Sequence, residues 1–432
     1  NAFTKLLQNN AEQAQWRQAA DTAASEYGKP AVERSCPFYK KLYGGILTVD
    51  AFRYSKVDGC KAYFLSHFHS DHYTGLSSTW THGPIYCSRA TANLVKLRLR
   101  VKPEFVKVLP WDKDYLIPDG AGIKVRLIDA NHCPGSGIFL FTNPRGLTIL
   151  HCGDFRANKT MLRSLANTRI DELYLDTTYL TPKYAFPRQS AVISACASLV
   201  SSLANPTPSL LKTLQSYLPP PNPNPSPSNP PGRLLVVIGT YSIGKERICL
   251  GIASALHTKI FAAPAKMATA KALEDPHLNS FLTPIPEDAQ VHMTTLKDIT
   301  VDSLKSYLST LSTGGFTRIV GIKPTGWSYR PPGNRGLDKP SVRSILDDEA
   351  WESPFGVADL KPRGVGTGAR DGDVAVYMVP YSEHSSFREL TRFVCGLEVG
   401  RVVPTVNVGT ERGRERMRGW MGRWEEEKRK RG

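Results

Sequence analysis

The sequence has no apolar run of about 18 residues or more, the length a helix needs to cross a bilayer, which argues against a membrane-spanning protein. Its eight cysteines (Cys36, Cys60, Cys87, Cys133, Cys152, Cys196, Cys249 and Cys395) are scattered, with no CxxC pair and no dense framework. That pattern excludes a disulfide-stapled secreted scaffold and points to reduced thiols inside a cell. Acid is in short supply: 39 Asp and Glu stand against 55 Lys and Arg, a formal charge of +16. An excess of this sign favours polyanionic partners, nucleic acid before an anionic membrane. Histidine is scarce too, ten in 432 residues, so where it falls is informative. The length leaves room for two domains, or for one large core with an insertion.

Three of the ten histidines fall in one stretch, Ser66-His67-Phe-His69-Ser-Asp71-His72. The apolar Tyr63-Phe64-Leu65 before it reads as a buried strand, predicted over 60–66, and the polar cluster starts where that strand should stop. Alternation along an extended chain aims His67 and His69 to one side. Asp71 and His72, beyond a turn, can face back on the same space. Imidazoles and a carboxylate this close form a donor set for a borderline metal such as zinc.

The same grammar, an apolar strand ending at an acid or a histidine, recurs along the chain. A strand over 45–52 carries Asp50, strands over 123–129 and 137–142 flank a turn-rich loop with His132, a strand over 146–151 runs into Gly153-Asp154, and Glu172–Leu175 ends at Asp176. Ligands at the ends of adjacent strands converge on one sheet edge. His67, His69, His132 and Asp154 complete one set of four donors. Asp71 and His72 begin a second, with Asp154 as a bridging carboxylate. His82, His257, His277 and His292 lack acidic neighbours and count as background, whereas His151 lies on a strand and reads as core packing.

Farther on, a helix is predicted over 188–204, and then Pro-rich low complexity over 205–232 reads as an exposed insertion. Alternating strands and helices resume from Leu234. The first strand leads into Gly239-Thr-Tyr-Ser242-Ile-Gly244-Lys245-Glu-Arg247 and a helix, a strand–turn–helix that can present amides to an anion, although its spacing is not that of a Walker A loop. Residues 330–371 read as irregular. A late strand over 374–380 delivers Tyr381-Ser-Glu-His384-Ser-Ser, with His384 a candidate catalytic group, and a final strand and turn end in Val-Asn-Val408-Gly. Residues 411–431 read as a charged tail, helical or frayed, ending in Lys428-Arg-Lys-Arg431.

Seven segments in order carry a resemblance: Thr48-Val-Asp-Ala-Phe, Ser66-His-Phe-His-Ser-Asp-His-Tyr, Asn131-His-Cys-Pro-Gly-Ser, Gly153-Asp-Phe-Arg, Leu175-Asp-Thr-Thr-Tyr, Gly239-Thr-Tyr-Ser-Ile-Gly-Lys-Glu and Val379-Pro-Tyr-Ser-Glu-His-Ser-Ser. Together they resemble the metallo-β-lactamase superfamily and, within it, the β-CASP branch of DNA nucleases that includes Artemis and the interstrand cross-link repair enzymes. The Pro-rich insert and basic composition are most similar to a fungal version. The resemblance implies an α/β protein, a four-layer αββα metallo-β-lactamase core with an inserted α/β β-CASP domain. The core would span 1–179, with 1–35 a peripheral segment, and be completed by 377–410. The insertion would span 180–376, and 411–432 would be a basic tail. It further implies a metal-dependent 5′-to-3′ DNA exonuclease that uses a zinc-bound hydroxide, requires a 5′ phosphate, acts on single strands or free 5′-phosphate ends, and works in the nucleus.

Carried over residue by residue, His67, His69, His132 and Asp154 would hold the first zinc, and Asp71 and His72 would face a second position. Asp176 would orient that pair or the attacking water, and His384 would stand against the scissile phosphate or the leaving group. Asp50 would support the ligand loop from behind. Ser242, Gly244 and Lys245 would meet a 5′ phosphate. Val408 stands where RNA-processing members carry a histidine. The second site is then a ligand short and weaker, open to Mg or Mn, and DNA is favoured over RNA. The alternatives are a β-CASP RNA endonuclease or exonuclease, a small-ester hydrolase, and a non-catalytic DNA-binding scaffold.

Overall fold

The structure is a computed structural model that describes residues 2–205, 232–311, 314–331, 333, 339–366 and 374–431. The Pro-rich segment expected over 205–232 lies almost wholly outside them. The chain forms two compact units, Asn1–Leu180 with Glu389–Gly432, and Thr181–Arg388.

The first unit is a sandwich of two sheets. One sheet holds β1 (Lys41–Leu42), β2 (Leu47–Val49), β3 (Ala62–Phe64), β4 (Ile85–Cys87) and β5 (Val106–Val108) in that order, parallel from β2 onward. The other sheet begins as an antiparallel meander of β6 (Asp114–Leu116), β7 (Lys124–Asp129), β8 (Gly137–Thr142) and β9 (Thr148–His151), and β10 (Ile170–Leu175) adds parallel to β9. Alternation sends Leu47, Val49, Ala62 and Phe64 of one sheet and Val125, Leu127, Phe139, Phe141 and Ile149 of the other into one shared core. Phe64 stands edge-on to Phe139 and Phe141, with ring centroids 5.2 and 4.9 Å away. The outward residues Tyr63, Ile85, Leu150, Leu173 and Leu175 are buried as well, so both sheets need cover on their far faces. Helices provide it. Arg89–Leu99 buries Leu94 and Val95, Lys159–Leu165 buries Met161 and Leu165, and Glu411–Arg431 buries Met417, Trp420 and Trp424. The result is helix, sheet, sheet, helix.

The second unit is built on a seven-stranded sheet. Its strands are β11 (Arg233–Thr240), β12 (Lys259–Phe261), β13 (Leu282–Thr283), β14 (Ala289–Thr295), β15 (Phe316–Pro324), β16 (Pro362–Gly366) and β17 (Val374–Val379), in the spatial order β13-β12-β14-β11-β15-β17-β16. Every pairing is parallel except β16 with β17. A parallel sheet must be covered on both faces. Helices Gln189–Ala204 and Glu246–Ala255 pack on one face, and Val301–Thr310 on the other. The chain then completes the first unit with β18 (Val399–Pro404), parallel to β10.

Several elements differ from their sequence-based expectations. The strand predicted over 374–380 belongs to the second unit's sheet, and the chain rejoins the first unit only at Glu389. Within the stretch read as irregular, Val342–Asp347 is a helix whose first turn is capped by Ser341, and Pro362–Gly366 is a strand. The helix was hidden because it is short and anchored by only Val342 and Ile345. The charged tail is a docked helix. Burying Trp420 and Trp424, roughly 150–250 Å² each at about 25 cal/mol per Å², outweighs the ~0.3–0.5 kcal/mol of each exposed ion pair along it. All eight cysteines are free, and among the described residues no helix is long and apolar enough to cross a membrane.

Candidate metal centre

The loops that follow β3, β7 and β9 bring their histidines and aspartate together. His67 Nε2 lies 2.9 Å from His69 Nδ1, which lies 3.2 Å from His132 Nε2. Asp154 Oδ2 stands 3.8 Å from His67 Nε2 and 4.0 Å from His132 Nε2. Zinc–nitrogen bonds of about 2.0–2.1 Å in a tetrahedron place donor atoms roughly 3.3 Å apart, so the three imidazoles are spaced to share one cation, with the Asp154 carboxylate beside two of them. Cys133 Sγ also lies within 4.8 Å of the three histidine nitrogens. Next to this set, His72 Nε2 is 3.3 Å from Asp154 Oδ2 and 3.5 Å from Asp71 Oδ2. Asp154 therefore faces both positions. The Asp71 side chain is 72% exposed, open to solvent where the other donors are enclosed.

Hydrogen bonds behind the donors set which ring nitrogen each offers. Asp50 accepts from the Ser66 N–H at 2.8 Å and the Ser66 hydroxyl at 2.7 Å. Because that hydroxyl proton goes to Asp50, its oxygen, 2.9 Å from His67 Nδ1, accepts the Nδ1 proton and leaves Nε2 with a lone pair. Asp50 also meets His72 Nδ1 at 2.7 Å, so His72 Nε2 is turned towards Asp154. Burial, reinforced by the neighbouring His72, His69 and His132, holds His67 well below the usual imidazole range, which keeps it a neutral donor. For His72 burial acts downward, but the Asp154 and Asp50 carboxylates outweigh it and raise its pKa well above that range. Burial likewise acts against ionisation of Asp50, and His72 with Lys40 more than offsets it.

The ligand loops are laced to one another. The Arg156 N–H donates to Ala130 O at 2.9 Å, and Asn131 Nδ2 donates to Arg156 O at 3.0 Å, joining the His132 loop to the Asp154 loop. Arg156, itself buried, forms a two-pronged bond to Glu389 at 3.1–3.2 Å. His151 does more than pack: its Nδ1 accepts the Gly153 N–H at 3.1 Å, and burial pushes its pKa down to about 3, so it stays a neutral acceptor. Gly153 itself has φ of +53°, and a Cβ there would stand 2.6 Å from the Ser66 Cβ. Gly153→Ala is expected to cost about 1–2 kcal/mol in backbone strain alone and to push the Asp154 loop off Ser66. Urea denaturation and metal content would both register the change.

Asp176, fully buried after β10, takes the Phe155 N–H at 3.4 Å and the Thr178 N–H and hydroxyl at 2.9 and 2.6 Å. It thus holds the residue next to Asp154. Val408 packs against the sandwich core. His384 belongs to the second unit, half-buried in the loop after β17, where its N–H donates to Ser382 Oγ at 3.0 Å. In the 239–247 loop Ser242 is exposed, but the Gly244 and Lys245 amides already meet carboxylates, Glu246 at 2.9 Å and Glu383 at 2.6 Å. Two contributors gave little signal in the sequence. Ser66 was one serine in a polar cluster, and Glu383 lies 138 residues from the amide it receives.

A compact His/Asp donor set at strand ends of a four-layer αββα core, with a second α/β unit inserted, defines a metallo-β-lactamase fold carrying a β-CASP domain. Residues 276–410 match the family described as DNA repair metallo-β-lactamase. The chain is 42% identical over 402 residues to the DNA cross-link repair protein pso2/snm1 of Schizosaccharomyces pombe, covering 92% of this chain and 66% of that protein. It is 37% identical over 395 residues to the DNA cross-link repair protein SNM1 of Arabidopsis thaliana (90% and 70%), and 32% identical over 365 residues to the 5′ exonuclease Apollo of Gallus gallus (84% and 62%). The chain belongs to this family of DNA cross-link repair metallo-β-lactamase proteins. It spans 66% of the length of the S. pombe relative and 32% of the DNA cross-link repair 1A protein of Homo sapiens.

Proposed function

We propose that the chain is the nuclease region of a DNA interstrand cross-link repair protein, a metal-dependent exonuclease that degrades DNA from 5′-phosphorylated ends in the 5′-to-3′ direction. The observation that carries this reading is the meeting of His67, His69, His132 and Asp154, with the His67 ring proton fixed from behind by Ser66. In this reading the first unit is the metallo-β-lactamase domain and the second the β-CASP domain. Zinc suits the first position, since imidazoles dominate the donor set. The second position (His72, Asp71 and the shared Asp154) is weaker and open to Mg or Mn, because Val408 supplies no ligand atom.

A divalent cation held by His67, His69, His132 and Asp154 would supply an acidified water and would offset charge on the phosphate. The remaining work falls to the chain's own groups. Asp176 holds the Asp154 loop in register through the Phe155 amide. Asp71, exposed beside His72, is free to orient the attacking water or a second cation. His384 donates a proton to the departing 3′ oxygen. Ser242 and the Lys245 ammonium meet the terminal phosphate, with Gly244 allowing close approach. The excess of cationic side chains holds the phosphate backbone without reading sequence, and action on genomic DNA places the protein in the nucleus.

The test is a matched set of single strands: 5′-phosphorylated DNA, 5′-hydroxyl DNA and 5′-phosphorylated RNA. The phosphorylated DNA should be shortened from its 5′ end at least about tenfold faster than the other two, a difference of about 1.4 kcal/mol in the barrier. Equal rates on DNA and RNA would overturn the choice of substrate. Equal rates on both DNA ends would remove the phosphate requirement.

A further inference from the structure

Within the second unit, the loop after β11 and the loop after β17 are joined by a small buried lattice of charge. Glu383, 5% exposed, accepts the Lys245 N–H at 2.6 Å. Lys245 is a non-glycine residue in the left-handed region (φ +70°), and its ammonium lies 4.8 Å from the centroid of Tyr241 and 5.5 Å from that of Tyr381. Glu246, also buried, accepts the Gly244 N–H, and Lys266 Nζ lies 3.9 Å from it while donating to the carbonyls of Tyr241 and Ser242 at 2.5 and 3.0 Å. Two lysines thus meet two glutamates here, and the Gly244 and Lys245 amides and the Tyr241 and Ser242 carbonyls of the turn all have partners.

A left-handed lysine costs about 1–2 kcal/mol and persists only where its surroundings over-determine it. A charge-assisted bond from a buried carboxylate is strong enough to do so. The residue that makes this bond immediately precedes His384, whose own loop is pinned by Ser382 and, through Ser382 O, by Gln189 at 2.7 Å. We propose that Glu383 is a positioning residue that clamps the Lys245 backbone, fixing the 241–247 loop to the loop bearing His384 so that the two present one preformed surface to the 5′ end of the substrate. The inference rests on the nuclease reading above for its substrate, but the clamp itself does not.

Glu383→Ala and Glu383→Gln separate the possibilities. Hydrogen exchange of the peptide spanning 241–248 reads the clamp without any activity. Exchange should speed up at least about tenfold in Glu383→Ala and stay near wild type in Glu383→Gln, which keeps an acceptor oxygen. On 5′-phosphorylated DNA, Glu383→Ala should raise KM and lose most of the preference over 5′-hydroxyl ends, while metal content stays close to wild type and the protein remains folded, with a melting temperature lowered by the loss of one buried acceptor. Glu383→Gln should recover that preference. Unchanged exchange in Glu383→Ala would overturn the clamp. So would a proportional loss of rate on both kinds of end, since that is plain destabilisation. A wild-type protein that cuts no DNA, yet shows the exchange difference, would sink the nuclease reading and leave the clamp standing.

Discussion

Replacing His67 by alanine is expected to abolish DNA cleavage and metal retention together. His67 is fully enclosed, its Nε2 lies 2.9 Å from His69 Nδ1, and it belongs to two donor groups, one with His69 and His132 and one with His72 and Asp154. A cation contributes several kcal/mol to stabilising charge that develops on the phosphate, so its loss should cost on the order of a thousandfold or more in kcat/KM. Metal content after dialysis, measured by elemental analysis, should fall from near stoichiometric to a trace. Circular dichroism should remain that of a folded α/β protein, because the sandwich core lies beneath the site and does not include this ring. A His67→Ala protein that kept full metal content would place the cation elsewhere.

Asp50→Ala is the second large effect, and it arises without any contact to substrate. The Asp50 carboxylate takes three hydrogen bonds, from the Ser66 amide, the Ser66 hydroxyl and His72. Removing it leaves buried donors unsatisfied, at about 1–3 kcal/mol each for those that water cannot reach. It also frees the Ser66 hydroxyl to rotate, so His67 loses the partner that holds its tautomer. Loss of such outer partners typically lowers metal affinity or activity by about 10–100-fold. Competition with a chromogenic chelator should show weaker metal binding, and urea denaturation a lower midpoint. Asp50→Asn should fall between, because an amide can still accept from Ser66 but cannot hold a protonated His72 as an ion pair. Wild-type affinity in Asp50→Ala would mean that the imidazoles orient themselves without help.

Much of the site was legible in the sequence because its donors sit where strands stop. His67, His69 and His72 are nearly contiguous, and the strand–acid grammar pointed to Asp50, His132, Asp154 and Asp176 before any distance was known. The framework was legible for a similar reason: apolar runs such as Leu234–Ile238 and Ile170–Leu175 read as buried strands and are strands. What could not be read depends on contacts between residues far apart in the chain. The Asp50–Ser66–His67 relay requires β2 and β3 to pair in one particular register. The 239–247 turn looked like a set of open amides, but a carboxylate from the loop after β17 fills one of them. The tail looked like a run of charge, and only its packing shows Trp420 and Trp424 to be its buried face. Spacing reveals which residues can share a face. Whether a donor is already occupied depends on the tertiary neighbour.

The most direct test of the account is cleavage of 5′-phosphorylated single-stranded DNA by protein stripped of metal with a chelator and then resupplied. The stripped protein should be inactive, and activity should return in step with bound zinc up to about one equivalent, with any further gain from Mn or Mg requiring a large excess. Degradation that continues undiminished in the stripped protein, or a restored metal that brings back no cleavage, would contradict the assignment of His67, His69, His132 and Asp154 as the centre of a DNA-cutting site.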